Sequence, residues 1–535
     1  MKNRKYNVLK ISRVIVALLV FAPILLFFVD FRDILPDKVH SLLHFQVVPA
    51  ILSVAVGIMI FLFLLTLFFG RVYCSVICPA GVLQDIFNRI ACIGKKKRKG
   101  ILRFRYHKPL NILRYAILVV SAALAVFGFL ELCLLLDPYS NFGRIATNLF
   151  RPVAIWINNL LAEALTRFGI YTLYNVSFRI STGALVASVV AFLVFFVMAW
   201  WRGRLFCNTL CPVGALLSLV SRFSFFRLKV DENACNKCGV CGRSCKAEAI
   251  DSVNGTVDMS RCVGCFNCIS HCKQDALRFG VGDCFGLRSR NDGVPKVLDC
   301  FVPRNDGASR NDGVGGGDVV NGRRSFIATG AAIAAGMPLL ALAKGKDSAE
   351  KPLPVTPPGS LSIERFKDLC TGCHLCVVQC PSRVLLPAGL QFGFGYMLKP
   401  YMSYIDSYCN FSCTVCSDVC PTRAITQITE EEKKVTQVGI ANFYINRCIV
   451  KTEETDCGAC SEHCPTQAVH MVPYKGTLTI PQVEAELCVG CGGCESICPV
   501  RPERAIVIIS NPVHKKAEKP KEEEIKKVDV NDFGF

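Results

Sequence analysis

CNKCGVCGRSC (235–245) and CVGCFNCISHC (262–272) decide how this chain is read. Both are C-x2-C-x2-C-x3-C. Three closely spaced thiolates wrap one corner of an iron–sulfur cubane, and the fourth reaches across to a neighbouring cubane. Cys235, Cys238, Cys241 and Cys272 are therefore expected to hold one 4Fe-4S cluster, and Cys262, Cys265, Cys268 and Cys245 a second. Zinc competes for such thiols, but its sites favour two separated Cys pairs over a three-cysteine spiral. Lys246 and Lys273 stand where a proline usually follows the last cysteine, which bears on the local turn and not on ligation.

Downstream the pattern recurs four times. Cys370, Cys373, Cys376 and Cys380 come first, then Cys409, Cys413, Cys416 and Cys420 with one residue inserted. Cys448, Cys457, Cys460 and Cys464 form a stretched third cassette, and Cys488, Cys491, Cys494 and Cys498 the fourth. All four end in the Cys-Pro of bacterial cluster-binding runs. Oxidised disulfides are the alternative for a segment outside the cytoplasm, but the repeated C-x2-C-x3-C-P core speaks against them. With these, 24 of the 32 cysteines are assigned, to six 4Fe-4S clusters in all. The expected architecture here is α+β and of bacterial ferredoxin type: a two-cluster domain over 225–283, a four-cluster domain over 360–510 and a charged tail over 511–535.

Upstream the chain is apolar. Four long hydrophobic runs lie near 13–30, 47–69, 111–136 and 182–201. Each approaches the ~20 residues that cross a hydrocarbon core, so an α-helical membrane domain of four spans is expected over 1–220. Lys and Arg crowd the N-terminus and the 71–110 loop, whereas the loop after the first run carries only Arg32 and Lys38. The positive-inside rule puts the N-terminus and residues 225–283 in the cytoplasm. Residues 150–170 read as an amphipathic helix on the outer face. Of the whole chain 52% is hydrophobic and 19% charged, with a net charge of +19. The basic residues gather beside the apolar runs, which favours a membrane over nucleic acid.

GRVYCSVICPAGVL (70–83) and GRLFCNTLCPVGAL (203–216) are an internal repeat. Each places two cysteines one helical turn apart before a proline. Cys74, Cys78, Cys207 and Cys211 could thus meet as redox thiols, as an extra iron site or as a small cluster, with Arg71 and Arg204 lowering their pKa. Inert buried cysteines are the plainer reading. Residues 284–320 are a low-complexity linker in which Arg-Asn-Asp-Gly recurs at 290, 304 and 310. Residues 321–343 follow, where Arg323-Arg324-Ser325-Phe326 opens a weakly apolar run. That stretch reads as a twin-arginine (Tat) signal, or else as a fifth span. Residues 344–535 would then be periplasmic. Cys92, Cys133, Cys284 and Cys300 have no cassette and are assigned no role.

Taken together, residues 1–280 resemble NapH, the membrane subunit of periplasmic nitrate reduction systems, and the wider NosR/CcoG-type membrane ferredoxins. Residues 321–510 resemble NapG, an exported four-cluster ferredoxin. The chain looks like the two fused head to tail. The resemblance implies a multi-pass inner-membrane quinol dehydrogenase component, an electron-transfer oxidoreductase that serves the membrane quinol pool. It implies a periplasmic multihaem cytochrome or reductase as electron acceptor. It also implies that the first and last C-terminal cassettes exchange fourth ligands, as do the middle two. That gives Cys370/Cys373/Cys376/Cys498, Cys488/Cys491/Cys494/Cys380, Cys409/Cys413/Cys416/Cys464 and Cys448/Cys457/Cys460/Cys420. His40, His44, Glu131 and Asp137 are the candidate polar groups for quinone, Glu131 because an acid inside a span is costly. The alternative function is a redox sensor or metallocentre maturation factor of the NosR/CcoG type.

Overall fold

The computed structural model describes residues 3–32, 41–93, 104–127, 133–281 and 352–519. The linker, the twin-arginine stretch, His40, Glu131, Cys284 and Cys300 lie outside them. The described residues up to Val281 and those from Leu353 onward belong to one compact unit.

The first half of the chain is a bundle of helices. Helix α1 (Asn3–Val29) is followed by the short α2 (Ser41–His44). The second apolar run does not form one rod. It divides into α3 (Val47–Leu52) and α4 (Val56–Phe69) at a turn where Val54 takes φ +53°. Helices α5 (Tyr73–Val76) and α6 (Pro79–Ile90) carry the first Cys-x3-Cys-Pro motif; α7 (Asn111–Val126) is the described part of the third run. Then come α8 (Pro138–Ile145), α9 (Arg151–Thr166) and α10 (Thr182–Arg202), with α11 (Leu205–Thr209) and α12 (Pro212–Ser221) around the second motif. Among the described residues two stretches are long and apolar enough to cross a membrane, Val8–Val29 in α1 and Thr182–Arg202 in α10; α4 and α7 are shorter.

Ile15, Leu19, Ile60, Phe63, Val190 and Leu193 stand exposed along α1, α4 and α10, an outward apolar face unlike the surface of a water-soluble bundle. Inside, Phe142 of α8 meets the Phe21 and Phe28 rings edge-on at 5.6 and 6.0 Å. Helix α8 starts sharply because Asp137 caps it, accepting from Ser140 N at 2.7 Å, with Pro138 in the first turn. Helix α9 is amphipathic: Trp156 and Leu160 are exposed, while Asn158 and Ala162 are buried.

The first cysteine-rich region pairs strands Phe226–Val230 and Leu277–Val281 antiparallel. The second is framed by Thr436–Phe443 and Ile506–Lys516. That last strand runs through 511–516, so the charged tail starts later than 511. After a register shift between Ser510 and Lys515, Lys515 and Lys516 pair with Gln437 and Thr436.

The two regions dock at opposite ends of α1. Lys10 Nζ donates to Ser270 Oγ at 3.3 Å, and Gln379 Nε2 donates to Phe27 O at 3.2 Å. Residues 10 and 27 of one helix are about 25 Å apart at ~1.5 Å per residue.

Candidate iron–sulfur centres

The cassettes build their geometry locally. Lys237, Gly264, Gly372 and Gly490, each between the first two cysteines of its run, have φ of 53°, 61°, 58° and 74°. Left-handed backbone there curls the chain so that successive N–H groups face inward. Gly372 N, for example, donates to Cys370 Sγ at 3.4 Å. Glu248, Asp275, Arg383, Arg423 and Gln467, each three residues past a fourth cysteine, repeat one positive-φ turn. The runs that lack proline at Lys246 and Lys273 therefore make the same turn as those that have it.

The structure gathers the 24 thiols into six quartets. Cys235, Cys238, Cys241 and Cys272 surround one small cavity, and Cys245, Cys262, Cys265 and Cys268 another. The C-terminal quartets differ from the nested exchange that the resemblance implies. Cys420 faces Cys370, Cys373 and Cys376, and Cys380 faces Cys409, Cys413 and Cys416. Cys498 joins Cys448, Cys457 and Cys460, and Cys464 joins Cys488, Cys491 and Cys494. Exchange runs between sequential cassettes because each fourth cysteine leaves a short helix packed on its neighbour's. Leu375–Gln379 packs on Val415–Asp418, and Ala459–Glu462 on Gly493–Ile497.

These quartets fit a cubane. Thiols and inward N–H groups converge, and burial pushes the Cys262 and Cys370 thiols up to about 12. They would be neutral if free and are deprotonated on binding iron. Among the described residues no three His, Cys, Asp or Glu groups close on a single-ion site.

One order of centres emerges from the contacts. Arg71 Nη1 donates to Ser260 O at 3.1 Å, two residues before Cys262. At the other end Arg144 Nε and Nη2 donate to Gly372 O and Thr371 O, both at 3.0 Å. His374 sits there neutral: burial and Arg144 push its pKa down to about 3, and Nε2 faces Leu398 O at 3.0 Å. Cys409 N donates to Cys491 O at 2.9 Å, which sets the second and fourth cassettes side by side. The Cys262 quartet is thus nearest the bundle on one side and the Cys370 quartet on the other.

Asp85 pins the first of these dockings. Its carboxylate meets Arg204 Nε at 2.8 Å, Arg13 Nη2 at 2.7 Å and Lys246 Nζ at 2.5 Å. Burial alone would raise its pKa; the three cations hold it well below the usual carboxylate range. Neither Asp85 nor Arg144 belongs to a motif. The one signal for Asp85 is that the second repeat copy, 133 residues on, has Ser218 in its place.

Cys74, Cys78, Cys207 and Cys211 are all buried and come together. Of the expected quinone groups, His40 and Glu131 lie outside the described residues, Asp137 caps α8 and His44 lies half-buried in α2. Instead a cleft of ≈ 540 Å³ opens between α1, α6 and the first cysteine-rich region, lined by Lys10, Leu18, Ile86, Phe104, Lys246 and His271.

The family described as 4Fe-4S binding domain matches twice, over 53–100 and 184–231, and a 4Fe-4S dicluster domain matches 455–501. The dicluster match holds Cys457, Cys460, Cys464 and the whole last cassette, the pair that exchange ligands here. An uncharacterized protein of Methanocaldococcus jannaschii is 28% identical over 220 residues, 40% of this chain and 74% of that one. The putative electron transport protein YccM of Escherichia coli is 25% identical over 226 residues, 42% of this chain and 55% of that protein. The methylamine utilization ferredoxin-type protein MauM of Methylobacillus flagellatus is 30% identical over 159 residues, 29% of this chain and 67% of MauM. No solved structure matches. Repeated cubane cassettes, folded into paired quartets and shared with these relatives, show that the chain belongs to the 4Fe-4S ferredoxin-type electron-transport proteins.

Proposed function

We propose that this is an integral-membrane protein that oxidises quinol on the cytoplasmic side and delivers electrons through its clusters to a periplasmic acceptor. In this reading it is a NapH-like half fused to a NapG-like half, and the acceptor is a multihaem cytochrome or a reductase. One observation carries the proposal. Two cysteine-rich regions dock about 25 Å apart on a single apolar helix, close to the ~30 Å of a hydrocarbon core. The exposed apolar faces of α1, α4 and α10 lie between them. The positive-inside bias and the twin-arginine stretch agree with that arrangement. The word "electron transport" in the YccM name points the same way.

When bound, 4Fe-4S clusters in these quartets would supply one-electron steps. The chain's own residues do the rest. Quinol oxidation releases two electrons and two protons. The cleft offers Leu18 and Ile86 for an apolar ring and Lys10 and His271 at its polar end. His271 Nδ1 is engaged with Asn267 O at 2.7 Å, which leaves Nε2 to accept a proton. Cys245 and Cys268 flank that wall through Lys246 and Asn267, so the electron path is short.

The test uses membranes prepared anaerobically. A short-chain quinol should bleach the cluster absorbance, and Leu18→Trp, which fills the cleft, should raise the quinol KM at least tenfold. No bleaching in the wild type, or unchanged kinetics in Leu18→Trp, would overturn the quinol site. Reporter fusions at residues 250 and 400 should fall on opposite sides of the membrane; a common side would overturn the topology.

A further inference from the structure

We infer that Cys74, Cys78, Cys207 and Cys211 together hold a seventh iron–sulfur cluster, midway between the Cys262 and Cys370 quartets. The inference rests on the electron-transfer reading for its role but not for its occupancy.

The site is built by two-fold repetition. Arg204 Nη1, from the second copy, donates to Cys74 O of the first at 2.7 Å. Arg71 Nη2, from the first, donates to Cys207 O of the second at 2.8 Å. Each arginine also approaches the first thiol of its own copy at 3.9 Å. Gly81 and Gly214 are equivalent in the repeat and equally confined. A Cβ on Gly81 would lie 2.1 Å from Cys74 O, and one on Gly214 2.3 Å from Cys207 O. Both helix starts are thus pressed against the carbonyl of a cysteine in their own copy. No iron–sulfur cassette is complete in either copy. The domain described as 4Fe-4S binding nevertheless matches both, and each match contains two of these four cysteines.

Charge identifies the occupant. Arg71, Arg114 and Arg204 are buried to within 1% of full burial. Arg204 is balanced by Asp85, but Arg71 bonds Asn208 Oδ1, Ser260 O, Cys207 O and, more loosely, Cys74 Sγ, with no carboxylate among these partners. Ser218 occupies the position where a second aspartate would have balanced it. Arg114 bonds Ser260 and Gly214 O and has Asp258 as a nearby carboxylate. The Nε atoms of Arg71 and Arg114 are buried without a hydrogen-bond partner. Buried cations without a counter-charge are costly. Four neutral thiols would not offset them, whereas a cluster with four thiolate ligands carries net negative charge and would.

Its place suits a relay. Helix α5 packs against α1, and Arg13 Nη2 reaches Ser75 O at 3.0 Å. Arg71 bridges toward Cys262 through Ser260. On the far side Tyr73 adjoins Asp137, and Tyr139 adjoins Cys373. Electron transfer slows exponentially with distance, so a centre between the two docking points, which are about 25 Å apart along α1, replaces one long step by shorter ones. Each electron entering from the Cys262 side leaves toward Cys373, with no net change at the site.

The experiment counts iron and acid-labile sulfide per chain in anaerobically purified, reconstituted protein. Six cubanes give about 24 of each; a seventh site raises this to about 28, or about 26 for a two-iron cluster. Cys74→Ser with Cys207→Ser should lower the count by four or two and leave the remaining Mössbauer signal unchanged. A wild-type count near 24, or no iron loss in the folded double variant, overturns the inference. If that variant does not fold, Cys78→Ser with Cys211→Ser and the wild-type count decide. A count of 26 or 28 without quinol-dependent reduction would instead leave this site standing and remove the quinol reading.

Discussion

Replacing Asp85 by Asn probes how the first ferredoxin region is held to the bundle. The carboxylate is 15% exposed and faces side chains of Arg204, Lys246 and Arg13 that are 0%, 7% and 10% exposed. Asn keeps the shape and removes the charge, leaving three cations about a neutral amide. Breaking a buried ion pair from one side costs about 3–5 kcal/mol. At ~1.4 kcal/mol per tenfold, local opening should become about 100- to 4000-fold more frequent. The Arg204 amide reports it, because it donates to Lys246 O at 2.9 Å across the joint. Hydrogen exchange of that amide, followed by mass spectrometry in detergent, should accelerate by about the same 100- to 4000-fold. Amides of the distant Thr436–Phe443 strand should not change. Exchange within threefold of wild type would refute the reasoning. The pH dependence has a definite sign. Asp85 is depressed in the fold, so its contribution is fully present above the unfolded value near 3.9. It is lost only as pH falls through the lower folded value. Wild-type docking should hold from pH 7 to about 4.

Two further outcomes follow from the packing. Gly214→Ala places a methyl against Cys207 O and should destabilise the bundle by about 1–3 kcal/mol as overpacking does, read as a lower thermal midpoint; an unchanged midpoint would contradict the close approach. Cys448→Ser combined with Cys498→Ser should cost one cluster, about four irons, because the two share a quartet. A loss of about eight would restore the nested exchange.

The cysteine cassettes were legible because their spacing is local, and in the first pair Cys272 and Cys245 lie with the cassettes opposite their own. The partner choice in the C-terminal region was not. Nothing in the spacing of Cys370 to Cys380 says which cassette lies beside it; the packing of Leu375–Gln379 on Val415–Asp418 does. The repeat pointed correctly to four thiols in one place. Arg71 and Arg204 do approach the thiols; that they also clamp carbonyls of the opposite copy is visible only in the fold. Hydropathy marked the second run, yet not its division at Val54, since the residues on both sides are equally apolar. Arg144 and Asp85 act over 228 and 161 residues of sequence, and no short pattern carries such contacts.

The central claim is that electrons from quinol traverse the bundle and emerge at the four-cluster region. The most direct measurement uses proteoliposomes with quinol in the bilayer and an impermeant oxidant, ferricyanide, facing the Cys370–Cys498 side. The account predicts quinol-dependent ferricyanide reduction that collapses in Cys74→Ser with Cys207→Ser while the other six clusters remain loaded. Equal rates in that variant and the wild type, or no ferricyanide reduction by the fully loaded wild type, would contradict it.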